Sequence, residues 1–166
     1  WSPDGRSLLY VILDQISGFN LWIYPFAGEA KPFRVSRRDF EQFSGSFSPD
    51  NRWIAYESST SGTNEVYVQA FPDSGEVWRI SLAGGQDLRW RDDGKEVFYI
   101  APDGTLMAVE VAVVGDGKQI QPGKPETLFQ TSLSAGRRVH GYAVARDGQR
   151  FLLPVALDKT SPPITI

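Results

Sequence analysis

Four times along this chain an aspartate stands before a glycine or an asparagine, and the same apolar pattern follows each time. The copies are WSPDGRSLLYVI from residue 1, FSPDNRWIAYES from 47, WRDDGKEVFYIA from 90 and VARDGQRFLLPV from 144. Superposed on the turn, Asp4, Asp50, Asp93 and Asp147 share one position, and Gly5, Asn51, Gly94 and Gly148 share the next. Five residues further on come Tyr10, Tyr56, Tyr99 and Leu153. The turn anchors are 46 (Gly5 to Asn51), 43 (Asn51 to Gly94) and 54 (Gly94 to Gly148) residues apart. A period of roughly 40–50 residues filled with short strands is the mark of propeller blades.

Inside each period the same order of runs recurs. SLLYVIL, RWIAYES, EVFYIA and RFLLPVA follow the turns, then NLWIYPF, EVYVQAF and TLMAVEV, then KPFRVS, EVWRIS and PETLFQTS. A fourth run, FEQFSGSF, GGQDLRW or HGYAVA, leads into the next turn. They are short, β-branched and aromatic, and bounded by Gly, Pro, Asp and Ser, so they read as strands. Several are apolar on both faces, as a strand sandwiched between neighbouring blades must be; a β-sandwich with coincidental repeats is the weaker alternative.

The expected fold is therefore all-β: a β-propeller fragment of about three and a half four-stranded antiparallel blades. The blade segments fall at approximately 1–39, 40–83, 84–133 and 134–166. Closed propellers have about four to eight blades, so a piece of a longer propeller is expected. A start at Trp1, within a repeat, also suggests a fragment or a processed product, with any targeting segment upstream. An open arc exposes strand edges and blade faces, so self-association is expected, two arcs making a pseudo-ring.

Asp-Gly and Asp-Asn favour positive φ and predict a tight hairpin from the innermost strand to the next, with Pro3 and Pro49 fixing its first corner. The aromatic before it (Trp1, Phe47 or Trp90) supplies area that locks blades together. Calcium ligation by the repeated Asp is disfavoured, because one carboxylate per turn does not converge on a six-to-eight-oxygen cage.

Composition removes several classes of function. Hydrophobic residues at 41% and charged residues at 22% are those of an ordinary globular chain, and no apolar run reaches membrane-spanning length. A net charge of -3 gives no electrostatic reason to expect nucleic acid. With no cysteine there are no disulfides, thiolate nucleophiles or zinc–cysteine sites. The chain has one histidine, His140, and no G-x-S-x-G; FSGSFS at 43–48 lacks the spacing. GDGKQI at 115–120 ends in Ile120 where a phosphate-cradling motif needs glycine, and reads as an extended hairpin loop of the third blade. No catalytic residue, metal site or cofactor is expected, and no carboxylate pair stands out for glycosidase work.

One constellation suggests binding. Arg37, Arg38, Arg137 and Arg138 fall in connections from an outermost strand to the next innermost one, and such connections emerge on one propeller face. Arg89 belongs to the equivalent strand of the intervening blade, and His140 and Tyr142 to that of the last. A ring of guanidinium groups at an axial mouth suits a carboxylate or an acidic peptide segment. The plainer reading is solvated loop charge balanced by Asp39, Glu41 and Asp87.

The turn motif SPDG/SPDN, followed by LLY or IAY and later by LWIYPF or EVYVQAF, resembles the TolB-type six-bladed propeller repeat. DLRWRDDGKEVFYIAPDGTLMAVEV and DGQRFLLPVA carry the resemblance furthest, and it covers nearly all of the chain. It is similar to propellers at the C-terminal ends of bacterial multidomain proteins, some following a kinase domain and others a winged-helix domain. The resemblance implies a non-catalytic scaffold, a docking or sensor module with a protein or peptide partner, and an extracytoplasmic location. The accessory propeller of a serine hydrolase, with its catalytic domain outside this chain, is the alternative.

Overall fold

The computed structural model describes residues 1–26, 28, 31–36, 40–72, 75–133 and 141–154. Every regular element among them is a strand, and every pairing is antiparallel. The first blade holds β1 (Ser7–Asp14), β2 (Gly18–Pro25) and β3 (Phe33–Arg34), side by side in that order. The second is complete, with β4 (Gln42–Phe47), β5 (Trp53–Ser58), β6 (Glu65–Ala70) and β7 (Val77–Arg79) in sequence order. The third contains β8 (Gln86–Trp90), β9 (Glu96–Ile100), β10 (Thr105–Val114), β11 (Gln119–Pro122) and β12 (Glu126–Gln130). The fourth shows β13 (Ala143–Val144) and β14 (Phe151–Leu152). The further strand expected for it falls outside the described residues.

The recurring turn is wider than the tight Asp-Gly hairpin expected from sequence. Ser2 N–H donates to the Ser7 carbonyl at 2.8 Å and Gly5 N–H to the Ser2 carbonyl at 2.9 Å. The pattern repeats at Ser48–Trp53, Arg91–Glu96 and Ala145–Arg150. Only the fourth residue of each turn takes positive φ: Gly5 (70°), Asn51 (61°), Gly94 (71°) and Gly148 (70°). The aspartate instead uses its side chain, accepting the N–H two residues on: Arg6 at 3.0 Å, Arg52 at 3.2 Å, Lys95 at 3.0 Å and Gln149 at 3.0 Å. Such an Asx bond closes the corner without a strained aspartate. In the first two copies the serine hydroxyl also donates to this carboxylate, at 2.6 Å each time; in the third Arg91 takes over, with Nε at 2.7 Å from Asp93.

The first four residues of GDGKQI form the expected hairpin turn, at the tip of an extension of the third blade, and Gln119 and Ile120 already belong to β11. β10 runs on past its blade and pairs with β11, Val113 opposite Ile120, while its first half pairs with β12. Ile120 is buried there with Val111 against the second blade's residues, and that burial holds the extension down.

Alternation along β5 sends Trp53 and Ala55 toward the third blade and Ile54 and Tyr56 toward the first. The core is accordingly a set of junctions. Leu21, Ile23 and Val35 meet Phe47, Ile54 and Tyr56 between the first two blades. Trp53, Val66, Val68 and Ile80 meet Leu88, Val97 and Tyr99 between the second and third. Phe98, Ile100, Leu106 and Ala108 meet Tyr142 between the third and fourth.

Candidate functional site

β4 and β8 each stand at one edge of their sheet and share an irregularity. The register slips by one residue between Gln42 and Gly45 in β4, and between Gln86 and Arg89 in β8. A bulge of this kind bends a strand and leaves an amide unpaired by its neighbour. Counted back from the turn anchors, Ser44, Asp87 and Gly141 are equivalent, and so are Gly45, Leu88 and Tyr142. Asp87 (φ 53°) and Gly141 (φ 79°) both take the left-handed conformation there, which aspartate and glycine tolerate best.

The bulge of β8 is held from the neighbouring blade. Glu57, on β5 and only 5% exposed, accepts the Asp87 N–H at 2.8 Å. The Leu88 N–H and the Ser44 hydroxyl also donate to that carboxylate. Burial is the largest influence on it and pushes its pKa from the usual value up to about 7; the Asp87 charge adds to the rise and the three donors oppose it. This carboxyl is divided between its two protonation states near neutrality.

Arg89 reaches the other way. Its guanidinium lies 5.5 Å from the centre of the Tyr142 ring, Nε donates to the Tyr142 carbonyl at 3.3 Å, and one terminal nitrogen donates to the Leu88 carbonyl at 2.6 Å. The Tyr142 hydroxyl is buried and has no hydrogen-bond partner among the described residues. Burial, only partly offset by the Arg89 charge, drives that phenol far above its ordinary range. A chain of polar contacts thus crosses three blades at one level: Ser44 and Glu57, the bulge at Asp87 and Leu88, then Arg89 and Tyr142.

The sequence-predicted Arg89 and Tyr142 are brought together. Arg37, Arg38, Arg137, Arg138 and His140 lie outside the described residues. Sequence reasoning missed Glu57 and Ser44, and assigned Asp87 only to balancing loop charge. Their signal was present in the repeat: six residues after each turn anchor stand Val11, Glu57, Ile100 and Pro154, and a lone carboxylate in that column marks a special contact. No group of three or more His, Cys, Asp or Glu side chains suited to a metal occurs among the described residues. No helix among them is long and apolar enough to cross a membrane.

Antiparallel sheets packed face to face in sequence order define a β-propeller. Within that class the fold is TolB-like. Over 78% of this chain and 49% of the other, it superposes on the structure of a protein assigned as TolB in Agrobacterium tumefaciens, with TM-score 0.55 and 21% identity. TolB from Acinetobacter baumannii matches 91% of this chain and 35% of its own length, with TM-score 0.63 and 18% identity. A protein assigned as a 6-phosphogluconolactonase in Bacteroides uniformis matches 91% and 44%, with TM-score 0.53 and 14% identity. In sequence, the Tol-Pal system protein TolB of Anaeromyxobacter dehalogenans is 36% identical over 76 residues, 45% of this chain and 17% of that protein. The chain thus spans less than half the length of each of these relatives. No family model matches.

Proposed function

We propose that the chain is a non-catalytic interaction scaffold that holds an acidic protein or peptide segment at the mouth near Arg89. The observation that carries this reading is the Arg89–Tyr142 contact, with the guanidinium 5.5 Å from the ring centre. An arginine held by a ring and two carbonyls loses little side-chain freedom when a carboxylate arrives, and guanidinium groups match carboxylates two bonds at a time. Arg37, Arg38, Arg137 and Arg138 add charge from the neighbouring connections of the sequence. The TolB-like fold supports a scaffold, since propellers commonly offer such surfaces; the lactonase likeness is one of fold and moves no activity to this chain. The test is titration calorimetry with an oligoglutamate peptide. Replacing Arg37 and Arg137 by Ala together is expected to weaken binding about tenfold or more. Unchanged affinity overturns the reading.

A second surface favours self-association. In the second blade Phe47 is buried with Phe71 against the first blade. The equivalent pair in the first blade, Trp1 and Phe26, stacks at 5.2 Å and is 74% and 50% exposed. Another blade, from a second copy, would cover it as the first blade covers the second. Light scattering at high protein concentration is expected to show a dimer, and a monodisperse monomer overturns it.

A further inference from the structure

We propose that the Glu57 carboxyl and the β8 bulge form a proton-responsive joint between the second and third blades, closed while Glu57 carries its proton and loosened when it ionises. The geometry is specific to this junction. Glu57 sits on the face of β5 that carries Trp53 and Ala55, inside an interface otherwise lined by Val66, Leu88 and Val97. Its carboxyl accepts the amide of Asp87, a residue bent into the left-handed region, at 2.8 Å, beside the Leu88 N–H and the Ser44 hydroxyl. Ionisation places a second negative charge beside the Asp87 carboxylate in that interface, whereas the protonated acid still offers a carbonyl oxygen to the amide.

Among the described residues the groups that face Glu57 are few. From β8 come Asp87 and Arg89, and Arg89 is committed to Tyr142 and the Leu88 carbonyl. On β6 Glu65 is occupied by the Ser81 hydroxyl, and β9 brings the Tyr99 phenol, pushed up to about 12 by burial and by Glu65. β4 contributes the Ser44 hydroxyl. The raised value of Glu57, about 7, agrees with this in direction. Because the folded state binds this proton more tightly than the unfolded one, the contribution of this group to stability is fully present below the ordinary carboxyl range and is lost as pH rises through 7. Arg89 follows Asp87 by two residues on the same strand, so the joint also governs where that guanidinium stands.

Amide hydrogen exchange read at Asp87 and Leu88 tests this, with Val109 in the centre of β10 and Ile54 in β5 as references. Between about pH 5 and pH 8.5, after correction for intrinsic exchange, the two β8 amides are expected to lose protection about tenfold or more. Val109 and Ile54 should change much less, and in Glu57→Gln the β8 loss should vanish. Constant protection in the wild-type chain overturns the joint, as does the same loss in Glu57→Gln. Should that variant not fold, the wild-type profile decides alone: a loss confined to β8 upholds the joint, and an equal loss at all four amides overturns it.

Discussion

The junction between the second and third blades and the one between the third and fourth are built from equivalent positions, yet they solve the same problem differently. At the first, Glu57 faces Leu88 and the bulge of β8; at the second, the equivalent Ile100 packs in the cluster containing Tyr142, which itself stands where Leu88 stands. One junction buries a carboxylate supplied with three donors, and the other buries a phenol whose hydroxyl has none. Repeat symmetry fixes the places, and single residues fix the polarity. A blade can therefore change its response to pH or to a ligand without changing its strands.

The largest effect should come from forcing the second solution into the form of the first. Ile100→Glu buries a carboxylate in a place now fully closed to solvent, and is expected to cost about 3–5 kcal/mol at neutral pH in urea unfolding. A loss under about 1 kcal/mol would mean that the left-handed backbone at Gly141 supplies donors unaided. Next, Glu57→Gln should raise stability at pH 8.5 by up to roughly 3 kcal/mol and leave it nearly unchanged at pH 4. The sign follows from a folded value near 7 against 4.5 for the free group, so the contribution of Glu57 to stability is lost across that interval as pH rises. A variant less stable at pH 8.5 would mean that the ionised carboxylate holds the blades together.

A smaller effect is expected from Gly141→Ala. The backbone is left-handed there (φ 79°), and an added Cβ would come within 2.5 Å of the Arg89 guanidinium. The guanidinium is the far end of a flexible side chain and can move, so the cost should be about 1–2 kcal/mol, mostly from the backbone. Smallest is Tyr142→Phe, which removes a hydroxyl without a partner and should change stability by less than about 1 kcal/mol, toward greater stability. A larger loss in thermal unfolding would reveal an undetected bond at that oxygen.

How far the sequence foretold this depends on the range of the interactions concerned. The turns were legible at Asp4–Gly5, Asp50–Asn51, Asp93–Gly94 and Asp147–Gly148 because their hydrogen bonds lie within six residues of chain. Their exact form was not, since a dipeptide does not reveal that the aspartate will bond its own backbone. The β10–β11 extension was legible as a hairpin loop from Gly115 and Gly117, which form its turn, but not as a paired extension. What orders it is the burial of Ile120 against another blade. At the candidate site, Arg89 and Tyr142 were legible as charge and aromatic on equivalent strands. Glu57 was not, because its donors come from Ser44 and from a strand thirty residues away whose bulge bends amides toward it.

The most direct test is the titration of the Glu57 side-chain carboxyl itself, followed by carbon NMR on glutamate-labelled protein and assigned by Glu57→Gln. A midpoint near 7 is expected, well separated from the other glutamates. A midpoint in the ordinary carboxyl range, about 4 to 5, would show that the three donors outweigh burial, and the contrast between the two junctions would then be one of shape alone.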